Sequence, residues 1–269
     1  MSFLSLIRLL HVSRKPFAVF LYMVFFLRRI FSVFMPGNEC LCCGKKCGML
    51  ILCEKCFKSF MNYDSFLHGK KRRCAGCGRR LLSETSLCSK CTADRVVVSA
   101  ERVYPLHDYA LWKKDVLFAW KTDEVRVMSP FFAKMISDAV RELETVSGMA
   151  MPVVPVPPRP GKIRKAGWDQ IEELCYYLHR MYGISVRNLL VRYSKTQQKK
   201  MDRARRFCII ENEYGEVSSR KREKLYGKTP DSVILLDDVM TTGATAEACS
   251  KILRNMGVKR IFVVTLFAV

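Results

Sequence analysis

The stretch Val233-Ile234-Leu235-Leu236-Asp237-Asp238-Val239-Met240-Thr241-Thr242-Gly243-Ala244-Thr245 limits the fold more than any other part of the chain. Its first four residues are apolar without a polar alternate. That is the pattern of a strand buried on both faces, as parallel sheets require. Two carboxylates follow, then a hydroxyl-rich loop with one glycine. A helix comes next, with Ala248, Ile252 and Met256 on one face and a stop at Gly257. In open α/β sheets, ligands bind beyond the carboxyl ends of the strands, where this loop is expected. Backbone N–H groups around Gly243 and Ala244, with the hydroxyls of Thr241, Thr242 and Thr245, would surround an anion at the helix N-terminus. Asp237 and Asp238 would repel an anion that stood alone. A ligand with a phosphate at one end and a diol at the other removes the conflict.

This stretch closely resembles the motif by which type I phosphoribosyltransferases bind phosphoribosyl pyrophosphate (PRPP). The resemblance implies that Asp237 and Asp238 hold the ribose hydroxyls and stabilise the positive charge that develops on the ring during transfer. It implies that Thr241, Thr242, Gly243, Ala244 and Thr245 hold the 5′-phosphate, and that Mg2+ accompanies the pyrophosphate.

The surrounding sequence alternates strands and helices, which predicts an α/β fold built on a doubly wound parallel sheet. Val96 to Tyr104 and Ile184 to Val191 read as strands, as do a short piece within Met151 to Pro158 and a last one from Arg260 to Leu266. Helices are expected over Asp108 to Lys121, from Ser129-Pro130 onward, and after Gly167-Trp168-Asp169-Gln170. In the second of these, Phe132, Met135, Ile136, Ala139, Val140 and Leu143 keep strict helical spacing, which makes them core. The loop Arg159-Pro160-Gly161-Lys162-Ile163-Arg164-Lys165 carries four cations and no acid. Following a parallel strand, it reads as a second anion site. The phosphoribosyl resemblance places pyrophosphate there, on Arg159, Lys162 and Arg164, with Arg205 or Arg206 closing over it.

Upstream, eight of the 13 cysteines form four C-x-x-C pairs. Cys40, Cys43, Cys53 and Cys56 make one set, and Cys74, Cys77, Cys88 and Cys91 the other. Gly44 and Gly78 follow the first pair of each set, as in a knuckle whose backbone N–H groups turn toward thiolate sulfur. Four thiolates around tetrahedral Zn2+ make a closed structural site that can fold a segment too small for its own core. Sequential pairing, with two zinc ions, is the simplest arrangement; interleaved pairing stays open. C-x-x-C spacing fits metal ligation in a reducing compartment better than a disulfide framework, so a cytoplasmic location is expected.

The organisation that follows is an apolar and basic extension over 1–36, a double zinc-ribbon domain over 37–95 and the α/β domain over 96–269. The apolar run Phe17 to Leu27, at 11 residues, is short of the roughly 20 needed to span a bilayer. A membrane-surface helix, a packing helix and a later true start at Met23 are the readings of the extension. A net charge of +21 attracts polyanions: nucleic acid, anionic lipid or a phosphorylated substrate. Lys70 to Arg73 between the cysteine sets, Lys195 to Arg206 and Arg220 to Lys224 concentrate it.

Taken in order, paired C-x-x-C units, V-P-V-P, G-W-D-Q, a basic segment with Gln198 and Arg206, and L-D-D-V-M-T-T-G-A-T resemble the ComF family over about residues 30–269. Those are zinc-ribbon phosphoribosyltransferase-like proteins linked to competence and DNA uptake. Where the family has R-G-F-N-Q, this chain has Ala166-Gly167-Trp168-Asp169-Gln170, losing an arginine and gaining an acid. The resemblance implies PRPP as ligand, with transfer of phosphoribosyl and release of pyrophosphate. The partners it implies are single-stranded DNA or another nucleic acid and a competence helicase or DNA-processing protein. The competing reading is a non-catalytic DNA-binding competence factor with a vestigial or sensory PRPP site. In either case residues 1–36 could add peripheral membrane contact.

Overall fold

The computed structural model describes residues 39–47, 51–62, 73–81, 86–109, 111–122, 125–163, 167–193 and 212–269. The chain divides into two compact units, 1–60 and 61–269. In the first, Cys40 to Lys46 forms a tight knuckle and α1 (Glu54–Met61) follows the second cysteine pair.

The second unit begins with the other cysteine group, including the short helix α2 (Ser89–Ala93), and continues into the α/β domain. Its elements are β1 (Arg102–Asp108), α3 (Trp112–Lys121), α4 (Ser129–Ser147), β2 (Val153–Pro155), α5 (Gln170–Tyr182), β3 (Leu190–Arg192), β4 (Tyr214–Glu216), α6 (Ser219–Tyr226), β5 (Ser232–Met240), α7 (Ala244–Asn255) and β6 (Arg260–Ala268). Four strands form one sheet in the order β1-β6-β5-β2, and every neighbouring pair is parallel. The expected α/β class with a parallel sheet is therefore the class observed. Strands β3 and β4 make a separate antiparallel pair.

The apolar runs explain the layering. Val233, Leu235, Ile261 and Val263 pack with Ala248, Cys249 and Leu253 of α7 in one cluster. The intervening Ile234, Leu236 and Val264 are just as completely buried. Helices α4 and α5 pack on each other and reach β6, β5 and β2. Burial of consecutive residues is what a strand covered on both faces looks like, and β5 and β6 are the central pair. Helix α4 starts with proline in its first turn, as read from the sequence, and stops at Gly148 in the left-handed region.

Two strand boundaries differ from expectation. The strand predicted over Val96–Tyr104 lies at Arg102–Asp108, and Val96 to Ser99 is a strap instead. The Glu247 carboxylate on α7 accepts from Val98 N (2.8 Å), Ser99 N (2.9 Å) and Ser99 Oγ (2.7 Å), so these N–H groups are satisfied without a ladder. Of the strand predicted over Ile184–Val191, only the end is in a ladder; Val186 makes an isolated bridge to Val153.

Candidate functional site: a carboxylate pair, an anion loop and two thiolate clusters

The two carboxylates lie within β5, which runs on to Met240 rather than ending before them. Val156 N donates to Leu236 O at 2.9 Å, so the chain leaving β2 departs level with Asp237 and Asp238. Because the strands are parallel, the Arg159 loop and the carboxylate pair share the carboxyl edge of the sheet.

Asp237 and Asp238 sit in different surroundings. Burial first, and then the neighbouring Asp238 carboxylate, push the Asp237 carboxyl up to about 7; the Asp238 N–H, Lys121 and Arg192 oppose this. Asp237 Oδ1 accepts from Asp238 N at 2.8 Å. Asp238 is paired with Lys121, whose Nζ lies 2.5 Å from Oδ2. Lys121 is the last residue of α3, and its carbonyl accepts from Gln170 Nε2 at 3.2 Å. In the sequence Lys121 ends a helix far from any motif, with nothing to mark it. Only the folded sheet brings that end to the carboxylates.

Beyond Met240 the loop turns at Gly243, with φ of 86°, and α7 begins at Ala244. Thr241 is exposed, Thr242 and Thr245 are half-buried, and Thr242 Oγ1 accepts from Ala244 N at 3.4 Å. Gly243 is required twice over. Its φ is in the left-handed region, and a Cβ there would lie 2.7 Å from Val97 Cγ2. The Arg192 guanidinium sits 5.2 Å over the ring of Tyr214 on β4. Arg192 is also paired with buried Glu213 at 2.9 Å. Neither Arg192 nor Tyr214 was legible as part of this edge.

Of the cations assigned to pyrophosphate, Arg159 is half-buried on the expected loop. Lys162 is committed elsewhere: its Nζ is 2.6 Å from Asp169 Oδ2 and hydrogen-bonds Gln170 Oε1. Arg164, Arg205 and Arg206 lie outside the described residues, as do Ala166, Gln198 and residues 1–36. Asp169 itself caps α5, its Oδ1 accepting from Ile171 N (2.9 Å) and Glu172 N (3.2 Å). Aspartate and asparagine serve equally at an N-cap, so the acid at this position is compatible with the start of α5. Trp168 is buried edge-on to Trp120, with Arg126 over its ring at 5.3 Å.

The cysteines form two separate candidate metal centres, Cys40–Cys43–Cys53–Cys56 and Cys74–Cys77–Cys88–Cys91. Within each group the sulfurs all lie within 4.8 Å of one another, and Cys43–Cys53 and Cys77–Cys88 are each 3.7 Å apart. Tetrahedral Zn2+ with sulfurs about 2.3 Å away needs sulfur–sulfur spacings of roughly 3.8 Å, so both sets fit, in sequential pairing. The knuckles are copies of each other. Gly44 N donates to Cys40 O and Gly78 N to Cys74 O, each at 2.8 Å, and both glycines have φ near 70°. Burial pushes the Cys40 and Cys74 thiols up, but backbone N–H donors outweigh it and bring them down to about 6 and about 7. Cys42 and Cys47 belong to neither group.

The second thiolate group is fused to the sheet edge. Arg73 Nη1 donates to Pro105 O (3.3 Å) and Arg79 Nη2 to Val269 O (3.1 Å), while Gly78 packs too closely on Val103 and Pro105 for any Cβ. A crevice of about 50 Å³ is lined by Gly76, Cys77, Cys91 and Val97 on one side and Met240, Thr241, Thr242 and Gly243 on the other. A larger cleft of about 420 Å³, lined by Arg222, Lys228, Asp231 and Lys259, includes none of the carboxylate-edge residues. Among the described residues, no helix is long and apolar enough to cross a membrane.

The fold and site thus define a parallel α/β protein with a carboxylate pair at the carboxyl edge of its sheet and two four-cysteine groups that could each hold a metal ion. The chain is similar to "Competence protein F" of Haemophilus influenzae, with 26% identity over 219 residues, 78% of this chain and 87% of that one. The resemblance to the ComF family read from the motifs therefore extends over most of the sequence. No family model matches the chain. A solved structure described as "analysis of an invariant aspartic acid in HPRTs, alanine mutant" aligns with 55% of this chain and 78% of its own. Its TM-score of 0.31 and 12% identity are too low to support a conclusion about this chain.

Proposed function

We propose that this is a competence-related, phosphoribosyltransferase-like protein that binds PRPP at the carboxyl edge of its sheet, with Mg2+ carried on the pyrophosphate. The observation that carries this is the Asp237–Asp238 pair in the carboxyl-terminal half of central strand β5, with four residues between it and the Gly243 turn at the start of α7. The acids suit a ribose diol and the turn suits the 5′-phosphate. Arg159 on the neighbouring loop lies on the same edge for the pyrophosphate end; Lys162, Arg164, Arg205 and Arg206 are the other cations assigned to it, of which Lys162 is paired with Asp169. Transfer to an acceptor would need positioning and charge stabilisation by these groups, with no protein nucleophile. Two Zn2+ ions, one per thiolate group, complete the protein. Calorimetric titration with PRPP and Mg2+ tests the reading: saturable one-to-one binding is expected, and no binding at millimolar ligand would overturn it.

A second reading, single-stranded DNA binding in the service of DNA uptake, is favoured by one specific feature. Helix α6 buries none of its residues, and Arg220, Lys221 and Lys224 are exposed on it, in a chain of net charge +21. Counterion release would make such binding fall steeply with salt. Undetectable DNA affinity at low salt would remove this reading. A cytoplasmic location, contact of residues 1–36 with a membrane surface, and a helicase or DNA-processing partner are further proposals from the competence relationship.

A further inference from the structure

We infer that Lys121 is the residue that recognises the pyrophosphate end of the ligand, leaving Asp238 for the diol when PRPP binds. This rests on the PRPP reading above and adds to it the group that separates PRPP from ribose 5-phosphate.

Lys162, one of the five cations that the resemblance places on pyrophosphate, is held by Asp169 and Gln170 and serves the start of α5. Lys121 is differently placed. Its backbone is fixed, because the end of α3 is tied to the buried Gln170 amide through the Lys121 carbonyl. Its ammonium lies at the carboxylate pair, 2.5 Å from Asp238 Oδ2, with about a third of the side chain exposed. A diol that donates to Asp238 competes for that same oxygen. The lysine can give way because four rotatable bonds separate the ammonium from the fixed backbone, and an ammonium can donate to phosphate oxygens over a wide range of directions. Gln170 joins the two lysines: its Oε1 accepts from Lys162 and its Nε2 donates to Lys121 O. The loop after β2 and the end of α3 are thereby held in one network, so both enter the carboxyl edge in fixed register.

The test compares two ligands on the metal-loaded full chain: PRPP, and ribose 5-phosphate, which lacks the pyrophosphate. Lys121→Met keeps length and apolar bulk without the charge, and Lys121→Arg keeps the charge. Losing one charge-assisted contact predicts that Lys121→Met binds PRPP about tenfold or more weakly. Its affinity for ribose 5-phosphate stays unchanged or rises, and Lys121→Arg recovers most of the loss. A Lys121→Met variant that weakens both ligands equally, or neither, overturns the inference while leaving the PRPP reading in place. A wild-type protein that binds neither ligand overturns both. Thermal midpoints of the variants identify any that lose binding through unfolding, and in that case the unchanged ligand ratio of Lys121→Arg decides for the inference and a lowered one against it.

Discussion

Asp237 shows how far a motif can be read and where the fold must take over. The acid pair was legible from Asp-Asp between an apolar run and Thr-Thr-Gly, but the inequality of the two acids was not. It comes from burial at Asp237 and from a lysine that reaches Asp238 from another helix. The pH dependence follows from that inequality. A carboxyl raised to about 7 when folded, against roughly 4 when unfolded, stabilises the fold fully below the unfolded value and loses that contribution as pH rises toward 7. Asp237→Asn should therefore gain stability relative to wild type between pH 5 and pH 8 in paired urea melts; a constant difference would contradict the assignment. Asp169 reverses the lesson. As a charge it reads as damage to an anion site, whereas in the fold it caps α5 and holds Lys162. Asp169→Asn should keep the cap, and Asp169→Ala should lose about 0.5–2 kcal/mol in the same melts.

At the scale of elements, the helices were the most legible parts, because periodic apolar faces and caps are local signals; α4 and α7 lie where their sequences place them. The strap Val96–Ser99 was not legible. Three β-branched residues in a row read as strand, yet the N–H groups of Val98 and Ser99 are claimed by Glu247, about 150 positions away in sequence. That strap joins the second thiolate group to the anion loop, since Val97 fills the space beside Gly243. Metal at Cys74, Cys77, Cys88 and Cys91 should then hold the loop as well as the knuckle. Cys91→Ser should release one equivalent of Zn2+ and speed amide exchange at 241–245, as seen by mass spectrometry. Metal loss with unchanged exchange there would separate the two. Gly243→Ala should cost on the order of 1–3 kcal/mol, because it combines a positive φ with a side chain driven against Val97.

Across the whole molecule, charge and strand order were unequally legible. The excess of cations is plain in the composition, but its division is not. Some cations are paired with acids of the fold, as Arg192 is with Glu213 and Arg222 of α6 with Glu216, while Arg220, Lys221 and Lys224 of α6 face solvent. The order β1-β6-β5-β2 could not be read at all, because nothing in an apolar run names its neighbour. Yet that order makes β5 central and brings the loop after β2 beside its acids. The proposed ligand site depends on those acids holding a sugar diol. The most direct measurement is calorimetric titration of PRPP into wild type and into the Asp237→Asn, Asp238→Asn double variant, both metal-loaded and folded. Charge-assisted contacts to two hydroxyls predict a loss of at least about tenfold in affinity. Equal affinity in the two proteins would contradict the assignment of this edge as the ligand site.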